Sequence, residues 1–193
     1  MDILKAIKER RTIRLYEQRP VDDEDLEALI DAARFAPSAG NMQRVRYVAL
    51  NDPKLVERIF ALTAWGAFVK PKRSPRWGVD APTAFLLLAS IVQPSDTVHA
   101  DAGAAIQNMA LAATERRLGT CWIASFDKKA AKEILALDES LHPLYLLAVG
   151  HPDEKPVAET VDTDSDVKYY LDGKDTLHVP KLSVEALTIW KKN

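Results

Sequence analysis

The segment RRTIR, residues 10–14, carries three guanidinium groups and a hydroxyl, all of which can bind an anion. Arg10 and Arg14 are four positions apart, with Thr12 between them. In helical or extended geometry two or three of these groups can converge on one anion, and a guanidinium fork gives phosphate two parallel charged hydrogen bonds. Alternatively, Arg10 and Arg11 complement the negative end of a preceding helix and point into water. Taken alone, the segment slightly favours the second interpretation.

A second candidate is the loop in ARFAPSAGNMQR, residues 33–44, where Pro37 ends a helical pattern. The residues after the proline are small or carry amide side chains: Ser38, Ala39, Gly40, Asn41 and Gln43. Small residues let a flat ligand reach the backbone, and the amides both donate and accept hydrogen bonds, as a ring edge of mixed polarity requires. The same residue types build ordinary turns. The loop by itself therefore predicts a turn.

Composition restricts the class of protein. A length of 193 residues, 47% of them hydrophobic and 28% charged, predicts one soluble domain with a sizeable core. A net charge of −2 argues against nucleic-acid binding, and the longest apolar run, 84–92, is about half of what spans a bilayer. The single Cys121 cannot form an internal disulfide, so we expect a cytoplasmic setting. No Rossmann or P-loop glycine motif occurs, and the four histidines are scattered, so we expect no metal.

Helical and strand patterns alternate along the chain. Helices are predicted after Asp2, from Asp22 to before Pro37, and over 53–62, 100–118 and 128–137. Strands are predicted over 45–50, 84–90, 120–125 and 143–150. This alternation indicates an α+β (α/β layered) domain.

Two segments lack a clear pattern. Residues 63–82 are predicted to form an exposed loop or lid, in which packing is favoured over substrate contact for Trp65 and Trp77. Residues 151–193 begin as a polar stretch and later regain apolar residues, which indicates an ordered arm. A second subunit is one surface on which this arm could pack.

The order of these motifs resembles the nitroreductase family of FMN-dependent oxidoreductases. RRTIR is followed, about two dozen residues later, by APSAGNMQ, which is similar to the family's A-P-S-x-x-N-x-Q loop. RLGTCWIASFD (117–127) looks like its glycine–strand–turn, and AVGHPDEKP (148–156) like its closing strand. DVKYYLDGKDTLHVPKL (166–182) is similar to a tail that returns to the flavin in one branch. The resemblance spans nearly the whole chain.

The resemblance implies a single FMN-binding domain over 1–193, with a central mixed sheet flanked by helices. It also implies a homodimer that exchanges the C-terminal arm 151–193 and holds FMN in its interface. By this resemblance the phosphate and ribityl end of FMN is held by Arg10, Arg11, Thr12, Arg14 and Lys181. The loop residues Pro37, Ser38, Ala39, Gly40, Asn41 and Gln43, from the other subunit, would lie along the flavin ring. Ile123, Ala124 and Ser125 would present backbone groups to its other side and its N5 edge.

The implied activity is hydride uptake from NAD(P)H followed by reduction of a nitroaromatic, quinone or similar acceptor in a ping-pong mechanism. Flavin carries this chemistry, so no catalytic side chain is expected. The alternatives are a specialised flavin enzyme of the same fold, for dehalogenation or flavin fragmentation, and a non-catalytic FMN-binding protein. The chain departs from the family pattern at Arg44-Val45, where Pro-Trp is usual, at Ala124 in place of glycine, and at Leu182 in place of a phosphate-binding arginine.

Overall fold

A computed structural model describes residues 2–66, 68–69 and 73–190. The helices are α1 Ile3–Glu9, α2 Asp23–Arg34, α3 Pro53–Phe60, α4 Asp96–Glu115, α5 Lys128–Ile134 and α6 Val184–Leu187. The strands are β1 Val45–Leu50, β2 Ala84–Ser90, β3 Gly119–Ile123, β4 His142–Gly150, β5 Val157–Val161, β6 Tyr170–Leu171 and β7 Leu177–Leu182. Short 3₁₀ helices occupy Ala39–Asn41 and Asp164–Asp166.

The central sheet has the strand order β1-β2-β4-β3, and its neighbouring strands pair antiparallel. A parallel bridge between Thr12 and Thr120 adds the segment after α1 to the β3 edge, which makes the sheet mixed. Every residue of β2 is buried, as its unbroken apolar sequence predicts for a strand covered on both faces. The predicted α+β class is confirmed.

The two faces of the sheet are covered by different helices. The alternate residues Ala84, Leu86 and Leu88 of β2 pack in a cluster with α2 and α4. Phe85, Leu87 and Ala89 face the opposite cluster, which contains buried residues of α3 and α5. Both clusters follow from the period-two alternation of side chains along a strand.

Several predicted element bounds were wrong. Helix α4 begins at Asp96 rather than near 100, because the hydroxyl of Ser95 accepts the N–H of Val98 and caps the helix. Strand β3 ends at Ile123, so Ala124 and Ser125 lie beyond it. Helix α5 ends at Ile134, shortly before Ala136 adopts a φ of 46°.

The C-terminal arm folds into a three-stranded sheet of its own, in the order β5-β7-β6. Strand β5 pairs parallel with β7, and β6 pairs antiparallel with it. The polar stretch after His151 thus contains a strand whose partners come from later in the arm. This sheet carries Lys181 on β7.

Residues 63–82 were predicted to form an exposed loop or lid, and this prediction was wrong for the residues of the segment that are buried. Four residues of the segment lie outside the described ranges: Ala67, Lys70, Pro71 and Lys72. Trp65, Val69 and Arg73 are all buried. The Trp65 indole donates to the hydroxyl of Thr63 at 2.6 Å, and its ring lies 6.1 Å from that of Phe60. Packing, which the sequence favoured for Trp65, is therefore its observed environment. Over the described ranges, no helix has the length and hydropathy needed to cross a bilayer.

Candidate functional site

Three cationic side chains from two distant parts of the chain share one neighbourhood. Burial lowers the pKa of Arg10, and burial together with the charge of Arg10 lowers the pKa of Arg11. The pKa of Lys181 is lowered by burial and then by the charges of Arg11 and Arg10. Among the described residues none of the three has an acidic ion-pair partner, and the Nε of Arg11 is buried without a hydrogen-bond partner there. The arrangement can accept an anion.

The backbone that carries these arginines is held against the β3 edge. The N–H of Ile13 donates to the carbonyl of Thr120 at 2.9 Å, next to the bridge from Thr12. The buried Tyr16 hydroxyl donates to the carbonyl of Ile13 at 2.6 Å, and burial raises the pKa of this phenol well above its usual value. Gly119 lies beneath Ile13, so closely that a Cβ atom there would be 2.7 Å from its side chain. The segment is fixed by strand pairing and packing.

Arg14 has different neighbours from the other arginines. Its guanidinium carbon lies 4.8 Å from the centre of the Tyr169 ring, a cation–π distance. Its backbone N–H donates to Oε1 of Glu154 at 2.5 Å. The structure therefore brings together Arg10, Arg11 and Lys181, while Arg14 is held from the arm side by Tyr169.

The loop after α2 is exposed and adopts an unusual backbone. Gly40, Asn41 and Gln43 have φ values of 59°, 54° and 47°, in the left-handed region that favours glycine and asparagine. The N–H of Ala39 donates to Oδ1 of Asp101 at 2.9 Å. The N–H of Gln43 donates to the Ser38 hydroxyl at 3.2 Å. The loop is thus more than an ordinary turn, because Gln43 adopts a φ that glutamine rarely takes and Asp101 ties the loop to α4.

A cleft of about 290 Å³ lies beside this loop. Its walls include Pro37, Ser38 and Gln43 from the loop and Asp101 from α4. None of the described residues lining the cleft belongs to the 10–14 segment or to β7. The cation cluster therefore takes no part in lining this cleft.

The end of β3 forms a third part of the candidate site. Ile123 is buried, whereas Ala124 and Ser125 are exposed. The carbonyl of Ser125 accepts the N–H of Ala64 at 2.9 Å, and a bridge joins Thr63 to Phe126. One of the backbone groups assigned to the flavin edge by resemblance is therefore already bonded to the 63–82 segment. In the described ranges, no cluster of three or more His, Cys, Asp or Glu side chains is arranged to hold a metal ion.

Sequence reasoning missed two acidic residues that organise the site. Asp101 is 8% exposed and holds Ala39, and Glu154 holds the backbone of Arg14. The sequence did contain an indication that Asp101 has a special role, because a charged residue stands directly before Ala102, where the small, apolar face of α4 begins. Glu154 gave no signal, because it stands among exposed charges in the sequence HPDEK.

The Nitroreductase family model matches residues 7–151. The chain belongs to the nitroreductase family. An Archaeoglobus fulgidus protein named "Putative NADH dehydrogenase/NAD(P)H nitroreductase" is 30% identical over 169 residues, which cover 83% of this chain and 92% of that protein. A Bacillus subtilis FMN reductase [NAD(P)H] is 26% identical over 176 residues, covering 80% of this chain and 67% of the relative.

Solved structures show the same fold. A Desulfovibrio desulfuricans chain described as a "putative nitroreductase in complex with fmn" superposes with a TM-score of 0.67 at 27% identity, covering 87% of this chain and 95% of that one. The nitroreductase fold expected from the order of the motifs is confirmed.

Proposed function

We propose that this nitroreductase-family protein is an FMN-dependent oxidoreductase, which takes hydride from NAD(P)H and passes electrons to a nitroaromatic, quinone or similar acceptor in a ping-pong mechanism. The observation that carries the proposal is the cluster of Arg10, Arg11 and Lys181, whose mutual repulsion is not offset by an acidic group of the described chain. Similarity to an FMN reductase and to a chain solved with FMN supports the choice of ligand.

The cluster fits the phosphate of FMN. A dianionic phosphate would neutralise the cations, and it would give the buried Nε of Arg11 the acceptor it lacks within the described residues. Each charge-assisted hydrogen bond of this kind contributes about 1.5–3 kcal/mol. Thr12 and Arg14 extend the same segment toward the ribityl end. Because Leu182 replaces the family's phosphate-binding arginine, Lys181 carries more of the phosphate binding.

Bound FMN would supply hydride acceptance and electron transfer, so the chain itself needs no acid–base side chain. The residues of the protein would orient the flavin ring and shield it from water. The loop Pro37–Asn41 with Gln43 offers small residues, exposed amides and a backbone fixed by Asp101, all suited to lie along a flat ligand. Ile123, Ala124 and Ser125 would line the opposite side of the ring.

The proposed active unit is a homodimer of single-domain chains that exchange their arms (151–193), with FMN between them. No described residue that lines the cleft beside the loop belongs to the cation cluster, which supports a second copy bringing the two parts to one ligand. Apolar side chains are available for the interface. Ile3, Leu4 and Ile7 of α1 are exposed, as are Ile189 (91%) and Trp190 (73%) at the end of the arm. The single cysteine fits a cytoplasmic setting.

The test is a visible spectrum of the purified protein after incubation with FMN and desalting, followed by anaerobic NADPH, then NADH, then a nitroaromatic or quinone. We expect retained flavin colour that bleaches with one of the nucleotides and returns with the acceptor. Arg10→Ala should lose FMN, by about ten- to a hundredfold in affinity, whereas Lys8→Ala, an exposed cation two positions earlier, should not. Retained colour without bleaching would favour a non-catalytic FMN-binding protein. Bleaching without reoxidation by these acceptors would favour a specialised flavin reaction.

A further inference from the structure

A buried carboxylate, that of Glu154, joins two segments that are distant in sequence. Its Oε1 accepts the backbone N–H groups of Arg14 at 2.5 Å and Leu15 at 3.2 Å. Its Oε2 accepts Nε–H of Arg73 at 2.8 Å. The Glu154 and Arg73 side chains are only 5% and 6% exposed. Both oxygens of this carboxylate are therefore used within the protein.

Arg73 extends the connection to the C-terminal arm. Its guanidinium donates to the carbonyl of Asp175 at 2.7 Å and to the carboxylate of the same residue at 3.2 Å. Asp175 lies two residues before β7, the strand that carries Lys181. A continuous chain of charge-assisted hydrogen bonds thus runs from the 10–14 segment through Glu154 and Arg73 to the start of the Lys181 strand.

This connection links the two backbones that carry the cation cluster. The 10–14 segment pairs with the central sheet through Thr12 and Thr120, whereas β7 belongs to the separate sheet of the arm. Like charges held close together repel, so the cluster keeps its shape only if its two backbones are fixed from outside. A buried ion pair contributes little net stability because both charges lose their water, but it fixes geometry closely.

We propose that Glu154 and Arg73 are positioning residues, which hold the two cation-bearing backbones at the separation that one phosphate group requires. The inference rests on the proposed binding of FMN. Neither side chain needs to touch the ligand. Their effect is preorganisation: a phosphate binds to cations already in place, so less ordering occurs on binding.

The test compares FMN with riboflavin, which has the same ring and ribityl chain but no phosphate. Flavin fluorescence titrations give both dissociation constants for the wild type, Glu154→Gln and Asp175→Asn. Glu154→Gln keeps the side-chain shape and an oxygen acceptor for Arg14 but removes the charge that holds Arg73. The matched control is Asp153→Asn, which removes the same charge from an exposed neighbour.

The wild type and Asp153→Asn should prefer FMN over riboflavin. Glu154→Gln should weaken FMN binding about tenfold and leave the riboflavin dissociation constant within about twofold of the wild-type value. The reason is that only the phosphate, which riboflavin lacks, binds to the cations whose spacing has changed. Asp175→Asn, with a half-exposed side chain, should shift the preference in the same direction by a smaller factor. If Glu154→Gln does not fold, the Asp175→Asn result alone supports or contradicts the positioning role.

An equal loss for both flavins, or an unchanged preference in the variants, would overturn the positioning role while leaving the proposed function intact. A wild type that binds FMN no better than riboflavin would refute the phosphate site and the inference together.

Discussion

Gly119 supports the segment that carries the candidate phosphate-binding arginines, and its replacement by alanine gives a direct test of that support. A Cβ atom at this position would lie 2.7, 2.8 and 2.9 Å from three side-chain atoms of Ile13, well inside the 3.4 Å at which ordinary contact begins. Ile13 cannot simply withdraw, because its N–H is bonded to Thr120 and it is buried in the core. Gly119→Ala must therefore displace the 10–14 segment or strain β3.

The expected cost follows from two opposing effects. Overpacking a filled core costs about 1–3 kcal/mol, while replacing glycine by alanine within a strand returns about 0.5–1 kcal/mol. With mid-range values of about 2 and about 0.75 kcal/mol for the two effects, the net loss of unfolding free energy should be about 1.25 kcal/mol. This loss lowers Tm by about 2.5–5 °C in a domain of this size. FMN affinity should fall too, because the displaced segment carries Arg10 and Arg11.

Thermal unfolding followed by circular dichroism, with and without FMN, measures both effects. Gly173→Ala is the matched control, since no atom lies within 4 Å of a Cβ built there, and its Tm should stay within about 2 °C of the wild type. Gly150→Ala repeats the test at a second site, where the new Cβ would be 2.7 Å from the Tyr16 ring. A Gly119→Ala variant as stable as Gly173→Ala would refute the close packing of Ile13.

Two further predictions concern charge. Inorganic phosphate at about ten times its Kd should stabilise the flavin-free protein by about 1.4 kcal/mol, or about 3–6 °C in Tm. Lys181→Ala should show a smaller phosphate-induced rise in Tm than the wild type, measured relative to chloride at equal ionic strength, whereas Lys8→Ala should show the full rise. An equal rise in both variants would contradict a role for Lys181 in binding phosphate. Burial raises the pKa of Cys121 to about 11, so at pH 8 the folded protein should react with a disulfide reagent at least about tenfold more slowly than the unfolded chain. The rate should rise with pH as thiolate forms, and labelling as fast as in denaturant would contradict this burial.

Much of the central fold was predictable because its signals are local. The unbroken apolar run of β2 predicted a strand covered on both faces, and Asp52-Pro53 predicted the start of α3. Predicted bounds were wrong where an end depends on a single cap or one unusual φ angle, as at Ser95 for α4 and near Ala136 for α5. Such contributions are small, and patterns of hydrophobic residues do not reveal them.

The candidate site was predictable only in part. Family motifs indicated Arg10, Arg11 and Lys181, and the structure brings these three together. The same motifs indicated Arg14 for the phosphate and ribityl end, which stays a prediction; they did not reveal that a phenol ring of the arm lies beside its guanidinium. The motifs gave no sign of Glu154, because a glutamate in a run of exposed charges looks the same whether it stays in water or is buried by residues far along the chain.

The sequence by itself determined the fold class, the order of helices and strands up to β4, the family and the residue types available for an anion, because propensity, periodicity and spacing are properties of short segments. Tertiary structure alone decided which charges lie together and which are neutralised. It placed Arg73 and Asp175 around Glu154 and buried the Arg73 side chain. The physical reason is that electrostatic and packing energies depend on distance in space, and the burial that strengthens an ion pair or traps a cation exists only once remote segments have come together.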